Sequence, residues 1–222
     1  VGSWRLDDQA DQLLGTVSVP MVGGIIVVVL LIVAMNVGAI AFAVTLAATP
    51  FHPQGGGQPS DTGWIGDSQV IKVVQGQDAI VHHVSVPVPT GRAQAQVDET
   101  RRRLHARLHS AGHLIGVCGE QLGWVPTKAH HWPGECRVSF VAGDNPQPLE
   151  AEAVQHTLAQ WIAADLQRHT CLDSEQRAIR FGELPGYPCG GTHVQSLAEL
   201  GTVNVLSVSQ KKGVLSVRYA LD

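Results

Sequence analysis

Hydrophobic and polar positions divide the chain into a β-rich front and a back that mixes helix and strand. Between Asp11 and Asp61 there is no Asp, Glu, Lys or Arg. Inside that gap residues 23 to 51 run with Asn36 and Thr45 as the only clearly polar side chains before Thr49. Such a run is long enough to span a bilayer, yet it has no basic flank and no Trp or Tyr at its ends. Its first half, Ile25 to Ile32, is rich in β-branched residues, and Met35-Asn36-Val37-Gly38 can break the run in two. Two buried strands or a membrane segment over 23–48 both fit, because each reads as a continuous apolar stretch. Residues 51 to 64 are dense in Gly and Pro and cannot form a regular element. There, Gly55-Gly56-Gly57 permits close approach of the backbone to a neighbouring strand or a ligand. Residues 69 to 88 alternate and turn at Gly76-Gln77-Asp78, the pattern of a hairpin.

A Pro- and Gly-bounded stretch, Pro87 to Gly91, marks a boundary between residues 1–88 and 89–222. From Asp98 the spacing becomes helical: Leu104, Leu108, Ala111, Leu114, Ile115 and Cys118 fall three and four apart. Residues 149 to 168 predict a second helix on the same grounds. The tail, 202 to 221, predicts two strands around Lys212-Gly213. The expected fold class is α+β, a mostly β front followed by a two-helix, antiparallel-sheet back.

Composition changes this picture little. The 222 residues are 44% hydrophobic and 15% charged, with net charge −4, so bulk electrostatics do not announce a nucleic-acid binder. From residue 89 onward there are 13 Lys+Arg and 13 Asp+Glu, against 2 and 6 before it. The positive deficit therefore lies in the front, and the back carries a local run, Arg101, Arg102, Arg103 and Arg107. Such a run is a solvated helix face unless other evidence makes it a phosphate-binding one. Four scattered cysteines without a CxxC pair do not make a disulfide scaffold, and a reduced compartment is expected.

Chemistry enters at HSAGHLI, residues 109 to 115. His109 and His113 are four apart, on one helix face. The metalloprotease form of this motif carries a glutamate after its first histidine; Ser110 and Ala111 occupy the gap here, which argues against peptide hydrolysis. A second pair stands in PCGGTHV, where Cys189 and His193 are again four apart. Either half alone is more often packing or a structural turn. Together, two pairs from distant parts of the chain can close a tetrahedron, and imidazole with thiolate suits zinc. One ion per chain is expected.

HSAGH with PCGGTHV resembles the editing domain of alanyl-tRNA synthetase and its free-standing relatives, the alanyl-tRNA editing proteins. TPFHPQGGGQPSDTG (49–63), VDETRRRLHARLHSAGHLI (97–115), LGWVPTKAHHWPGECRVSF (122–140) and LAELGTVNVL (197–206) are similar to family segments as well. Threonyl-tRNA synthetase editing domains share the ligand spacing but not the CGGTHV or GGGQP context. The resemblance implies ATP-independent hydrolysis, in trans, of serine and also glycine from mischarged tRNA(Ala), in the cytoplasm and with no stable protein partner. It implies a small β-barrel-like front domain, which favours strands over a membrane segment for 23–48. It points to Ser110, Gln58 and the Gly190-Gly191-Thr192 turn around the amino acid. Ser110 stands where many relatives have threonine, keeping the hydroxyl without the methyl. Arg102, Arg103, Arg107 and Lys128 become tRNA contacts, and Lys128 and His131 stand near the site or in a solvated loop. No catalytic residue beyond the metal ligands is identified. The rival readings are a zinc hydrolase of the same fold acting on another ester or amide, and a non-catalytic zinc-stabilised RNA-binding module.

Overall fold

The computed structural model describes residues 30–32, 41–173 and 176–222. The chain forms two compact units: residues up to Gly55 with Ser60–Arg102, and Gly56–Pro59 with Arg103–Asp222. The short glycine-rich insert 56–59 thus belongs with the second unit.

Among the described residues the first unit is one antiparallel sheet. Its strands are β1 (Leu30–Ile32), β2 (Ala41–Thr45), β3 (Gly63–Ile65), β4 (Ser68–Gln75), β5 (Ile80–Val84) and β6 (Ala95–Val97), in the order β1-β2-β5-β4-β3-β6. Within the apolar run, 30–32 and 41–45 are therefore strands, with Leu30 opposite Ala43 and Ile32 opposite Ala41, and 46–51 form an irregular segment. Residues 23–29 and 33–40 of that run lie outside the described residues. Among the described residues no helix is long and apolar enough to cross a membrane. The hairpin read from alternation at 69–88 is β4 and β5, turning through Gly76. Val44, Phe51, Ile65, Val70, Val73 and Val84 bury its core.

Within that unit Asp61 is fully buried and ion-paired to Arg102, whose guanidinium also donates to the Pro50 carbonyl. A buried carboxylate is tolerable only with such partners; the His52 N–H supplies another, at 2.5 Å. His82, fully buried, donates from Nδ1 to the Val44 carbonyl (3.0 Å) and accepts at Nε2 from the Thr49 hydroxyl (2.7 Å). Burial lowers its pKa, against the opposing pull of the Val44 carbonyl.

The second unit is built on helix α1 (Glu99–Gln121), whose first turn falls in the first unit. Asp98 caps it, its carboxylate accepting from Arg101 N–H at 3.0 Å. The helix ends at Gly123, whose φ of 77° needs a glycine. Its apolar stripe (Leu108, Ala111, Leu114, Ile115, Cys118) is buried in one cluster with Val138, Phe140, Leu215, Val217 and Tyr219. Those partners lie on a four-stranded antiparallel sheet of β7 (Trp124–His130), β8 (Arg137–Ala142), β12 (Val203–Lys211) and β13 (Val214–Leu221), ordered β12-β13-β8-β7. The C-terminal hairpin turns at Lys212 and Gly213, both at positive φ (51° and 80°). A smaller sheet holds β9 (Arg168–Asp173), β10 (Gln176–Phe181) and the two-residue β11 (Tyr187–Pro188).

Helix α2 is shorter than its apolar spacing predicts. It spans Ala151–Ala163 rather than 149–168, because Asp165 takes a φ of 47° that ends the helical path. Leu166 follows at helical spacing but packs on the core from beyond this turn. From α2, Gln155 donates to the Val203 carbonyl (2.6 Å) and accepts from Val205 N–H (2.8 Å), satisfying backbone on edge strand β12.

Candidate metal centre

Helix α1 and the glycine-rich turn after β11 bring the two ligand pairs together. The donor atoms of His109, His113, Cys189 and His193 all lie within 4.8 Å of one another. The Cys189 Sγ stands 3.4 Å from Nε2 of His109 and 3.4 Å from Nε2 of His193. Zinc bonds of the usual lengths at tetrahedral angles put sulfur and nitrogen about 3.6 Å apart, so these separations fit a metal. Gly191 is required where it stands: a Cβ there would lie 2.2 Å from Cε1 of His109.

The hydrogen bonds behind the ligands fix which nitrogen points inward. Gln58 Oε1 can only accept, so the His109 contact at 2.7 Å is a donation from Nδ1–H, leaving Nε2 its lone pair. The same oxygen accepts from Thr192 N–H (3.1 Å), and the Gln58 amide donates to Thr192 Oγ1 (2.9 Å). His193 Nδ1 meets Ser110 Oγ at 3.0 Å, and that hydroxyl also accepts from Val194 N–H at 3.2 Å. This arrangement orients imidazoles for a metal. Burial, with smaller help from Arg177, pushes His113 down to about 4. His193 falls well below 6.5 for the same first reason, then through His113, His109, Arg177 and Arg168. Both are neutral at pH 7, the form that ligates. Burial raises the Cys189 thiol, opposed by Gly191 N–H and Arg177; a cation in the cluster reverses that balance.

Of the residues read as substrate contacts, Gln58 and Ser110 are fully buried and spend these polar atoms on the ligand shell. Thr192 is buried with them, and Gly190 is exposed with nothing near the position a Cβ would take. Of the cations, Arg102 is engaged by Asp61, and Arg107 donates to the Leu200 carbonyl at 2.6 Å. Arg103 and Lys128 are exposed.

His131 is part of the ligand shell. Its ring stacks on His109 with centroids 4.5 Å apart and planes 22° apart. Tyr219 donates its hydroxyl to the Leu108 carbonyl (2.9 Å), so its oxygen accepts from His131 Nδ1–H (2.6 Å). Burial pushes this imidazole down to about 3. The glycine-rich insert reaches it too, His131 N–H donating to Gly57 O at 2.9 Å. The glycine run therefore approaches the backbone that follows β7. Two arginines escaped the sequence reading. Arg177 donates to the carbonyls of Cys189 (3.1 Å) and Gly191 (2.8 Å), and Arg168 to that of His193 (3.3 Å). They brace the ligand turn, and no spacing signal in the sequence links them to it. Cys118 and Cys136 are buried, their thiols pushed up to about 12 and about 11, chiefly by burial. Among the described residues the cluster holds no carboxylate.

Three imidazoles and one thiol thus form a group that could hold a metal ion, joined to a glycine-rich insert. No protein-family model matches the chain. Individual proteins do. It is 33% identical to an alanine–tRNA ligase of Frankia alni over 198 residues, 75% of this chain and 22% of that protein. It is 29% identical to alanyl-tRNA editing protein Aarsd1-B of Xenopus laevis over 195 residues, 77% of this chain and 47% of that one. The Aarsd1 protein of Bos taurus is 28% identical over 195 residues, covering 77% and 43%. The chain is thus homologous to alanyl-tRNA editing proteins and to part of alanine–tRNA ligase, and spans less than half the length of these relatives.

Proposed function

We propose that the protein is a zinc-dependent hydrolase that removes serine, and also glycine, from mischarged tRNA(Ala), acting in trans, in the cytoplasm and without ATP. The observation that carries this reading is the convergence of both ligand pairs into one cluster with oriented imidazoles, in a homologue of alanyl-tRNA editing proteins.

A synthetase pocket for alanine rejects serine or glycine weakly, since one small group is worth only about 1–3 kcal/mol. A second site that tests for a hydroxyl penalises alanine, because its buried polar group then stays unpaired. Ser110 is proposed for that test: with Val194 N–H and His193 Nδ1–H both donating to its oxygen, its own proton is left to give. Gln58 and Thr192 set the floor of the amino-acid pocket, and Gly190 and Gly191 leave it room. His109, His113, Cys189 and His193 would hold the zinc, which when bound supplies Lewis-acid polarisation of the ester carbonyl. Arg168 and Arg177 keep the turn that carries Cys189 and His193 in place. The first unit is proposed as a β-barrel-like domain and the second as the editing domain. Arg103 and Lys128 are proposed as phosphate contacts; Arg102 and Arg107 would use guanidinium nitrogens that Asp61 and Leu200 leave over.

The test is the time course of ester loss from Ser-, Gly- and Ala-tRNA(Ala) with wild type and His109→Ala/Cys189→Ala. Loss of serine and glycine but not alanine, abolished in the variant, supports editing. A folded, zinc-loaded wild type that leaves all three esters intact refutes it. One observation favours a second reading: four protein ligands are the count of a closed structural site. A non-catalytic zinc-stabilised module would give that second outcome.

A further inference from the structure

The four-stranded sheet buries one face and leaves the other open. Along β8 and β13, Val138, Phe140, Leu215, Val217 and Tyr219 are buried, and the residues between them point the other way. The register sets these outward residues in rows across the strands. Arg218 stands opposite Arg137, which stands opposite His130; on the far side Ser207 faces Arg218. The next row runs Ser209, Ser216, Ser139, Lys128. The third pairs Lys211 with Val214, and Val214 with Val141, ending at Val125.

These rows contain two arginines, two lysines, four serines and no carboxylate, in a chain of net charge −4. Among the described residues Lys128, Lys211 and Arg218 form no ion pair. The hydrogen bond of Arg137 goes to a backbone carbonyl, that of Glu135. The carboxylate beside the rows is that of Glu135 itself, 3.5 Å from His130 Nε2. Cations and hydroxyls spread over an open sheet are complementary to a line of phosphates. Beside the first row Trp132 lies parallel to His130, with centroids 5.7 Å and planes 7° apart, and is 38% exposed. Such a plane accepts an unpaired base.

We infer that this face binds the sugar–phosphate backbone of RNA, which under the proposed function is the body of the tRNA whose ester is cleaved; the choice of tRNA rests on that reading. A second copy of the chain is the rival occupant, through Val125, Val141 and Val214. A two-fold contact there would set the cations of one copy against those of the other.

The test is binding of fluorescently labelled, unacylated tRNA to the full chain across a salt series. Each phosphate contact contributes a slope of about 0.7–0.9 in log K against log salt, or about 5- to 8-fold at 0.1 M. Arg137→Ser/Arg218→Ser is therefore expected to weaken binding roughly 25- to 60-fold and to flatten the slope by about 1.5. Arg137→Lys/Arg218→Lys keeps the slope, and Arg180→Ser, a cation outside the face, changes nothing. The inference is overturned if the serine pair binds within twofold of wild type with the same slope. It is also overturned if Val141→Asp splits a dimer while tRNA binding is untouched. If wild type cleaves Ser-tRNA(Ala) and the face variants bind normally, only this inference fails. If wild type binds RNA through the face but cleaves nothing, only the editing reading fails.

Discussion

Gln58 is the joint between the glycine-rich insert and the metal ligands, and removing its amide should damage the site more than the fold. In Gln58→Ala, three hydrogen bonds disappear: those to His109 Nδ1 (2.7 Å), Thr192 N (3.1 Å) and Thr192 Oγ1 (2.9 Å). Two N–H donors are left without an acceptor in a place fully shielded from solvent. Each such orphan costs about 1–3 kcal/mol, less where water enters the gap, so a destabilisation of about 2–4 kcal/mol is expected in urea unfolding. His109 also loses the partner that keeps its proton on Nδ1, and loss of such a partner typically lowers metal affinity about 10- to 100-fold. Competition with a chromophoric chelator measures that drop. Gln58→Glu separates the two effects: its carboxylate still accepts from His109 and Thr192, and the Thr192 hydroxyl can turn to donate. Affinity should return to within severalfold of wild type. Equal affinities for wild type and Gln58→Ala, in folded proteins, would refute the reasoning.

Three further outcomes are expected. Asp61→Ala strands the Arg102 guanidinium, which is only 13% exposed; a loss of about 3 kcal/mol in denaturant unfolding is expected, and a loss under half a kcal/mol would contradict the pairing. Gly57→Ala places a Cβ 2.5 Å from the Ala129 carbonyl at a φ of +80°, so backbone must move and the melting temperature must fall; an unchanged melt would contradict the geometry. His82 is held neutral when folded, its pKa lowered from 6.5 chiefly by burial. Its stabilisation is therefore complete above pH 6.5 and is lost as pH falls from there towards the lower folded value, with a limiting slope of about 1.4 kcal/mol per pH unit. His82→Gln should flatten that acid limb in urea midpoints taken between pH 8 and 5, and an identical limb would show that another group titrates.

The sequence displays the parts of this protein that local rules govern. Helix α1 announces itself through the spacing that sets in after Asp98 and a stripe from Leu104 to Cys118, and the C-terminal hairpin through Lys212-Gly213. The four residues of the candidate metal centre are legible because each pair keeps a four-residue spacing within a short segment. What is hidden depends on contacts between distant residues. Gln58 lies 51 residues from His109 and 134 from Thr192, so the GGGQ stretch marks the residue, while the hold of its amide on His109 and Thr192 is visible only in the fold. Arg168 and Arg177 act on backbone carbonyls, which carry no side-chain signature. Spacing alone overruns the end of α2, because apolar positions continue to Leu166 and are blind to the positive φ at Asp165. The cations of the open sheet face stand in alternate positions of separate strands, and only register brings them into rows.

We propose that the two ligand pairs form one metal centre at which an aminoacyl ester is cleaved. Its most direct test is to strip the protein with a chelator, confirm that it stays folded, and follow hydrolysis of Ser-tRNA(Ala) as zinc is added back. The stripped protein is expected to leave the ester intact and to recover fully at one zinc per chain, with no recovery in His109→Ala/Cys189→Ala. Full activity in the stripped, folded protein, or none after reloading, would contradict it.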